Sequence, residues 1–408
     1  MKNQDREKAY AKSMEVLFAC STENGFKAAV DSDIHSPYNR IWARDSMICS
    51  MAALISEDEF LIGQVKKSLK TLLKFQYKYG QIPSNVNIAE NKVSYGGSAG
   101  RIDPSLWFLI GFSQYIKRTD DIKFLKAHYP QFKKTINLMH LYEFNERNFI
   151  YVPKSGDWAD EYIQEGYVLY DQLLYYQALK ETSYIRKKMG KNTDQVDKKI
   201  KTLKKYININ FWVLAKNINN ENVYNKVVFK KALKKKRHKL NYLLPYFNPS
   251  GYGIPFDGMG NSLALNMDIL PKEKQQMLKN YIKLNFSKKT DYLMPAFTPP
   301  IKPGNYEWEE LKSNYSVKFR NKPYEYHNGG LWPLITGFYA AALAKNDTEE
   351  AIKYLDGINR ANKKRKWGFF EFENGKTLKP GGTRKQAWSA AAGILAYQTI
   401  INHKKLFL

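Results

Sequence analysis

The sequence predicts an all-α protein in which about twelve helices close on themselves as an (α/α)6 toroid. Three observations predict it. Apolar residues recur at helical spacing through most of the chain. Short links alternate with long ones, as in stacked helical hairpins. No fixed-period repeat is visible, which argues against a helical solenoid. The amphipathic runs fall near 5–19, 43–56, 58–78, 104–118, 120–141, 166–188 and 193–213, and then near 260–268, 271–284, 327–345, 347–362 and 384–402. Several begin on an N-cap or carry an acid in the first turn, Asp120 and Asp194 among them. The long links at 79–103, 143–165, 245–260 and 292–326 are rich in Gly, Pro, Tyr and Asn. Helices joined this way gather their working loops at one end. Such a barrel needs the whole chain, so residues 1–408 are expected to form one domain, with a Lys/Asn-rich insertion at about 214–245.

The composition is compatible with that size and narrows the function. Of 408 residues, 43% are hydrophobic and 14% aromatic, enough for a large core. The two cysteines, Cys20 and Cys49, imply neither a disulfide framework nor a Cys-based zinc site. Met1-Lys-Asn-Gln-Asp-Arg-Glu-Lys8 is too polar for a secretory signal. No apolar run approaches the roughly 18 residues of a membrane span. A soluble cytoplasmic protein is expected. The net charge of +26 raises nucleic acid or an acidic surface as partners. Lysine is abundant everywhere, however, and the one dense run, Lys230–Lys239, reads as a solvated face or loop rather than an RNA patch.

Five stretches carry chemistry, each at a helix junction and each drawing on the set Trp, Tyr, Asp, Glu, Asn and Gly. In Tyr38-Asn-Arg-Ile-Trp-Ala-Arg-Asp45, Arg44 and Asp45 can hold two sugar hydroxyls while Trp42 stacks on a ring. Val93-Ser-Tyr-Gly-Gly-Ser-Ala-Gly-Arg-Ile-Asp103 is a flexible-backbone loop but not a phosphate loop. Its Asp103 suits a helix cap or a sugar contact. Lys154-Ser-Gly-Asp-Trp-Ala-Asp160 sets Asp157 and Asp160 around Trp158. Burial against aromatic surface raises a carboxyl pKa, as a general acid near neutral pH requires. Tyr326-His-Asn-Gly-Gly-Leu-Trp-Pro333 offers His327, Asn328 and Trp332. Trp367-Gly-Phe-Phe-Glu-Phe-Glu373 places Glu371 and Glu373 two apart, on one side of an extended segment. Gln386 and Trp388 follow in Arg384-Lys-Gln-Ala-Trp388. One protonated and one ionised carboxyl among such rings can cleave a glycosidic bond with no metal or cofactor.

Together the stretches resemble the six-hairpin glycosidases, and most closely the neutral/alkaline invertase family and its bacterial amylo-α-1,6-glucosidase-like relatives. The resemblance runs from about residue 36 to residue 398. Tyr326-His-Asn-Gly-Gly-Leu-Trp-Pro333 is similar to the invertases' His-Asn-Gly-Gly-Ser-Trp-Pro. Ser98-Ala-Gly-Arg-Ile-Asp-Pro-Ser-Leu-Trp107 is similar to their Gly-Arg…Val-Asp-Ser-Gly-Leu-Trp. Phe256-Asp-Gly-Met-Gly-Asn-Ser-Leu-Ala264 and Gln386-Ala-Trp-Ser-Ala-Ala-Ala-Gly393 also have counterparts there. The resemblance implies an (α/α)6 barrel and an inverting hydrolysis. It implies a catalytic acid at Asp160, with Asp157 next to it as the alternative, and a base at Glu371. Arg44 and Asp45 match an Arg-Asp pair that contacts the sugar. The family's Arg-Arg after the acid is Glu161-Tyr162 here, so the substrate is left open between a sucrose-like disaccharide and a short α-1,6-linked glucan.

Other classes compete. A sugar epimerase on the same barrel relies on histidine bases, and of six histidines only His327 lies in a proposed site loop. A non-catalytic sugar-binding barrel would keep the aromatic pocket without needing Asp160 or Glu371. A basic RNA-associated protein would bind with steep salt dependence through the Lys230–Lys239 run.

Overall fold

The computed structural model describes residues 1–30, 36–97, 99–235, 240–315, 317–406 and 408. Among them are fourteen α-helices: α1 (Asn3–Ala19), α2 (Ala43–Ser56), α3 (Glu59–Lys74), α4 (Asp103–Thr119), α5 (Ile122–Leu141), α6 (Leu169–Lys188) and α7 (Asp194–Asn210), followed by α8 (Lys226–Lys235), α9 (Gly258–Asn266), α10 (Lys272–Asn285), α11 (Trp308–Ser313), α12 (Pro333–Ala344), α13 (Thr348–Trp367) and α14 (Ala387–Ile400).

Six of these helices form a closed inner ring. α2 packs on α4, α4 on α6, α6 on α9, α9 on α12, α12 on α14, and α14 returns to α2. An outer layer backs it, with α3 on α2, α5 on α4, α7 on α6, α13 on α12 and α1 on α14. The (α/α)6 toroid is therefore as expected. Which layer a helix joins follows from its sequence. α2 is buried from Ala43 through Ile55, and α14 along its whole length, so both take the inner ring. α3 buries Leu61, Val65, Leu69 and Leu72 at helical spacing and keeps lysines outside, as an outer helix does. α8 falls in the Lys/Asn-rich stretch, and Lys236–Lys239 of the basic run lie outside the described residues. His35 and Ser98 also lie outside them. No helix among the described residues is long and apolar enough to cross a membrane.

The main departures from expectation are at helix starts. Short antiparallel strands precede four inner helices: Ile41–Trp42 before α2, Tyr167–Val168 before α6, Phe256–Asp257 before α9 and Leu331–Trp332 before α12. The helix expected from 166 therefore begins at Leu169, and the one expected from 327 begins at Pro333, whose fixed φ suits a first turn. Asp120 does not begin α5. It ends α4 in the left-handed region (φ 50°), and Asp121 is the cap, accepting from the Phe124 N–H at 2.9 Å. Asp194 does stand in the first turn of α7.

These strands tie the loops together at one end of the barrel. Ile41–Trp42 pairs with Asn85–Asn87, and Leu331–Trp332 pairs with both Met294–Pro295 and Phe372–Glu373. Side chains in a first helical turn lean toward the N-terminus, so Arg44, Asp45 and Asp103 are carried to this same end.

Candidate active site

A cavity of about 200 Å³ sits among these loops, lined by Trp42, Arg44, Asp45, Arg101, Trp158, Asp160, Glu161, Arg320, Tyr326, Glu371, Gln386 and Trp388, with Pro37, Tyr38, Ala28 and Val317 completing it. Two carboxyls proposed for catalysis, Asp160 and Glu371, line it together. They come from opposite ends of the chain and different loops.

Asp160 sits in a loop closed by paired backbone hydrogen bonds between Val152 and Gly166, both 2.8 Å. Arg101 donates to it at 2.6 Å. Burial works to raise this carboxyl, but Arg101, with Arg44 and Arg320 behind it, outweighs burial and holds it below the ordinary aspartate value. Arg101 also lies 5.6 Å from the Trp42 ring centroid, so one guanidinium touches both a carboxyl and an indole of the cavity.

Glu371 is only 3% exposed. The Tyr38 hydroxyl donates to it at 3.3 Å and the Thr383 N–H at 3.3 Å. Burial pushes it up to about 7, against the pull of Arg320 and with a further push from Asp45. Gly382 stands against it at φ 75°, where a Cβ would lie 2.5 Å from Oε2, so a side chain there would displace the carboxylate. Glu373 does not share its environment: it is bound by Lys364 at 2.7 Å and is not part of the cavity lining. The strand covers Phe372 and Glu373 only, so the expected alternation does not bring both glutamates to one site.

Arg44 ties the first two stretches together. Its Nη1 donates to Asp103 at 2.9 Å, its Nε lies 3.7 Å from Asp45, and its guanidinium is 5.8 Å from the Trp388 ring. Asp103 is wholly buried and also accepts from the Tyr170 hydroxyl at 3.2 Å. It is an anchor for Arg44, neither a cap nor part of the cavity lining. With its amide turned to satisfy both neighbours, Gln386 donates to the Ala28 carbonyl at 2.6 Å and accepts from Trp388 Nε1 at 3.2 Å.

Four further residues from the sequence reading stand behind the cavity. Asp157 is 1% exposed and accepts from the Ala159 N–H at 2.8 Å and from Gln164 at 2.5 Å. Burial, then Asp103 and Asp257, raise it to about 8. It closes its own loop and does not face the cavity. His327 stacks on Trp332 at 5.3 Å and meets the edge of Trp158 at 4.8 Å, and burial lowers it to about 3. Trp332 is fully buried and donates to the Tyr326 carbonyl at 3.1 Å. Asn328 accepts from the Ile301 N–H at 2.7 Å and donates to the Ile301 and Asn321 carbonyls at 2.8 and 3.0 Å. The His-Asn-Gly-Gly motif thus braces the wall, and Tyr326 is its cavity residue. Asn328→Ala should accordingly cost about 1–3 kcal/mol, the penalty for stranding buried backbone groups. Urea unfolding would read it, and an unchanged midpoint would refute the brace.

Tyr38, Arg101, Glu161, Arg320 and Tyr326 are the polar and aromatic cavity residues the sequence reading did not assign to the site. Four of them stand inside or directly beside stretches it singled out. Arg320 lies in a long link with no signature of its own.

The buried carboxyls make a prediction about stability. Burial raises Asp157 to about 8, Asp257 and Glu371 to about 7, and Asp45 to about 6. Between about pH 4 and 8 these four carboxyls hold protons in the folded chain that the unfolded chain releases, which outweighs the opposite effect of the one neutral His327 below about pH 6.5, and stability falls as pH rises. Tm should be higher at about pH 5.5 than at pH 8. Asp257→Asn, which can still cap α9 toward Gly260, should narrow that difference. A Tm that rises toward pH 8 would contradict the assignment.

A closed double ring of helices carrying a carboxyl pair among three indoles and three arginines defines a six-hairpin glycosidase, a glycoside hydrolase. The chain belongs to the alkaline and neutral invertase family, which matches residues 8–403. A probable alkaline/neutral invertase F from Arabidopsis thaliana is 20% identical over 404 residues, 88% of this chain and 80% of that one. Among solved structures, a bacterial glucoamylase complexed with acarbose superposes with a TM-score of 0.68 at 15% identity, over all of this chain and 57% of the other. The mannosylglycerate hydrolase from Thermus thermophilus in complex with Tris gives 0.66 at 10% identity, over 95% and 99% of the two chains. Both likenesses show the fold. The resemblance read from the motifs is thereby confirmed at the level of family.

Proposed function

We propose that this chain hydrolyses a small α-glucoside with inversion, using Asp160 and Glu371 as its acid and base. The observation that carries this reading is the pairing of these two carboxyls in one small cavity, while Asp157 and Glu373 are engaged elsewhere. Asp160 protonates the leaving oxygen, and Glu371 takes a proton from water on the opposite face. Inversion needs the carboxyls roughly 6.5–9.5 Å apart so that water fits between sugar and base. Trp42, Trp158 and Trp388 offer stacking faces, and Arg44 and Asp45 offer contacts to hydroxyls. The cavity is smaller than the roughly 300–1,000 Å³ of most ligand pockets, which favours one sugar ring at the cleavage site over a bound chain. A sucrose-like disaccharide or a short α-1,6-linked glucan fits that restriction.

The electrostatics of the cavity support a second assignment of roles. Arg101 keeps Asp160 ionised, and burial keeps Glu371 near 7, the reverse of the protonation the first assignment needs. In the first assignment the sugar's hydroxyls draw Arg101 off Asp160, and the carboxyl then loses the cation that holds it charged. In the second, Glu371 donates the proton and Asp160 is the base.

The reaction is tested by sugar release from sucrose, trehalose, maltose, isomaltose and panose, with proton NMR following the anomer first formed. Cleavage of one substrate with the β-anomer appearing first supports inversion at an α-glucoside. An α-anomer at the carbon that water attacks would refute it. Silence across the panel from folded protein would leave a barrel that binds sugar without cutting it.

A further inference from the structure

A second cavity, about 520 Å³, lies across the same loop from the first. Trp158, Asp160 and Glu161 face the first cavity, whereas Lys154, Tyr162, Ile163 and Glu165 line the second. Its lining is aromatic and apolar where it is buried, with Tyr162, Ile163, Phe297, Ile301 and Tyr252 all under 9% exposed. Tyr246 continues that wall, and Tyr306 stands at the mouth with 97% of its surface exposed.

The charge of this cavity is unlike the rest of the molecule. The chain carries +26, yet three glutamates, Glu165, Glu307 and Glu310, converge here against one lysine. Lys154 pairs with Glu310. Glu165 adds to the field on the same lysine, and Glu307 stands exposed at the mouth. Burial raises the Tyr246 phenol to about 12, and Glu307, Glu310 and Glu165 each push it further the same way, so their fields meet on that ring. A separate observation bears on the ligand. The Tyr162 hydroxyl, on a side chain 2% exposed, has no hydrogen-bond partner among the described residues.

We propose that this second cavity binds an organic cation of the aliphatic polyamine class. Ammonium groups answer these carboxylates, and tyrosine faces attract the same charge. The methylene stem of such a ligand matches the apolar floor. The Tyr162 oxygen accepts an N–H that no described residue supplies. A neutral sugar would leave the negative field that these glutamates set up on the aromatic wall unanswered. The site is separate from hydrolysis: it uses neither Asp160 nor Glu371, and its readout is binding.

The test is isothermal titration calorimetry of the full chain with spermidine, at low salt and at about 0.5 M NaCl, with maltose as the alternative ligand. A chain this basic repels polyamines from its general surface, so a saturable signal reports a specific site. The expected result is one spermidine per chain, weakened by salt and weakened about five-fold or more in Glu165→Gln and in Glu307→Gln. Tyr162→Phe, which removes only the unpaired hydroxyl, should weaken it as well. Absence of saturable spermidine binding by folded wild type would overturn the proposal. So would binding unchanged in both glutamate variants. Salt-independent maltose binding that Glu307→Gln abolishes would make this a sugar site and also overturn it.

Discussion

Asp160→Asn and Glu371→Gln are each expected to lower kcat/KM on the cleaved glucoside by about 10²–10⁴-fold, the usual contribution of a positioned proton donor or acceptor. Both changes are nearly isosteric, so circular dichroism should stay close to wild type, while Asp160→Asn should lower Tm because Arg101 loses the carboxylate it holds at 2.6 Å. A pH profile will not say which group is the acid. Asp160 is held low by Arg101 and Glu371 is raised to about 7, and the bell has its limbs at the same two values whichever of them donates the proton. The leaving group does discriminate. Fluoride departs from α-glucosyl fluoride without protonation, so a variant lacking only the acid keeps that activity and a variant lacking the base loses it. If Asp160 is the acid, Asp160→Asn retains fluoride hydrolysis and Glu371→Gln does not. The opposite pattern assigns the reversed roles. A loss below about ten-fold in either folded variant would remove that residue from the chemistry.

The helical frame was legible because its signal is long. A run such as α3, with buried leucines and a valine at steady spacing, announces both its type and its face. Helix starts were less legible because they depend on partners far away in the chain. Nothing near residue 167 announces that Tyr167–Val168 will pair with Tyr246–Asn248, or that Leu331 will lie opposite Glu373. Two-residue strands carry too few side chains for a period to show.

The cavity divides along the same line. Trp42, Arg44, Asp45, Trp158, Asp160, Glu371, Gln386 and Trp388 were found because each stands in a stretch of unusual composition, and each lines the cavity. Composition does not give direction, however. Asp157 and Asp160 are three apart in one loop, yet one turns to Gln164 and the other to Arg101. His327 and Asn328 have the chemistry to bind hydroxyls, but the Asn328 amide is spent on Ile301 and Asn321, the His327 ring is packed on Trp332, and neither lines the cavity. Arg320 was invisible because its value comes from Tyr38, 282 positions away, whose hydroxyl it holds at 3.2 Å while that hydroxyl serves Glu371.

Arg44→Met should be the most damaging single change to the fold. Arg44 and Asp103 have side chains 6% and 0% exposed and meet at 2.9 Å, so neither has water to replace its partner. Removing one member of such a pair leaves a buried charge unanswered and typically costs about 3–5 kcal/mol. Tyr170 still donates to Asp103 at 3.2 Å, but a neutral donor does not balance a full charge. Arg44→Lys should recover only part of the loss, because an ammonium lacks the planar fork that reaches Asp103 and Asp45 together. Arg44→Met combined with Asp103→Asn removes both charges and should recover more stability than the lysine variant does. It should not recover hydrolysis, since Arg44 faces the cavity and Asp103 does not. Urea midpoints and kcat/KM measured on the three variants therefore separate the two duties of Arg44. If the double variant regains stability and activity together, the arginine is only a strut. If it regains stability while activity stays low, the same guanidinium that closes the first turn of α2 onto α4 also holds the sugar.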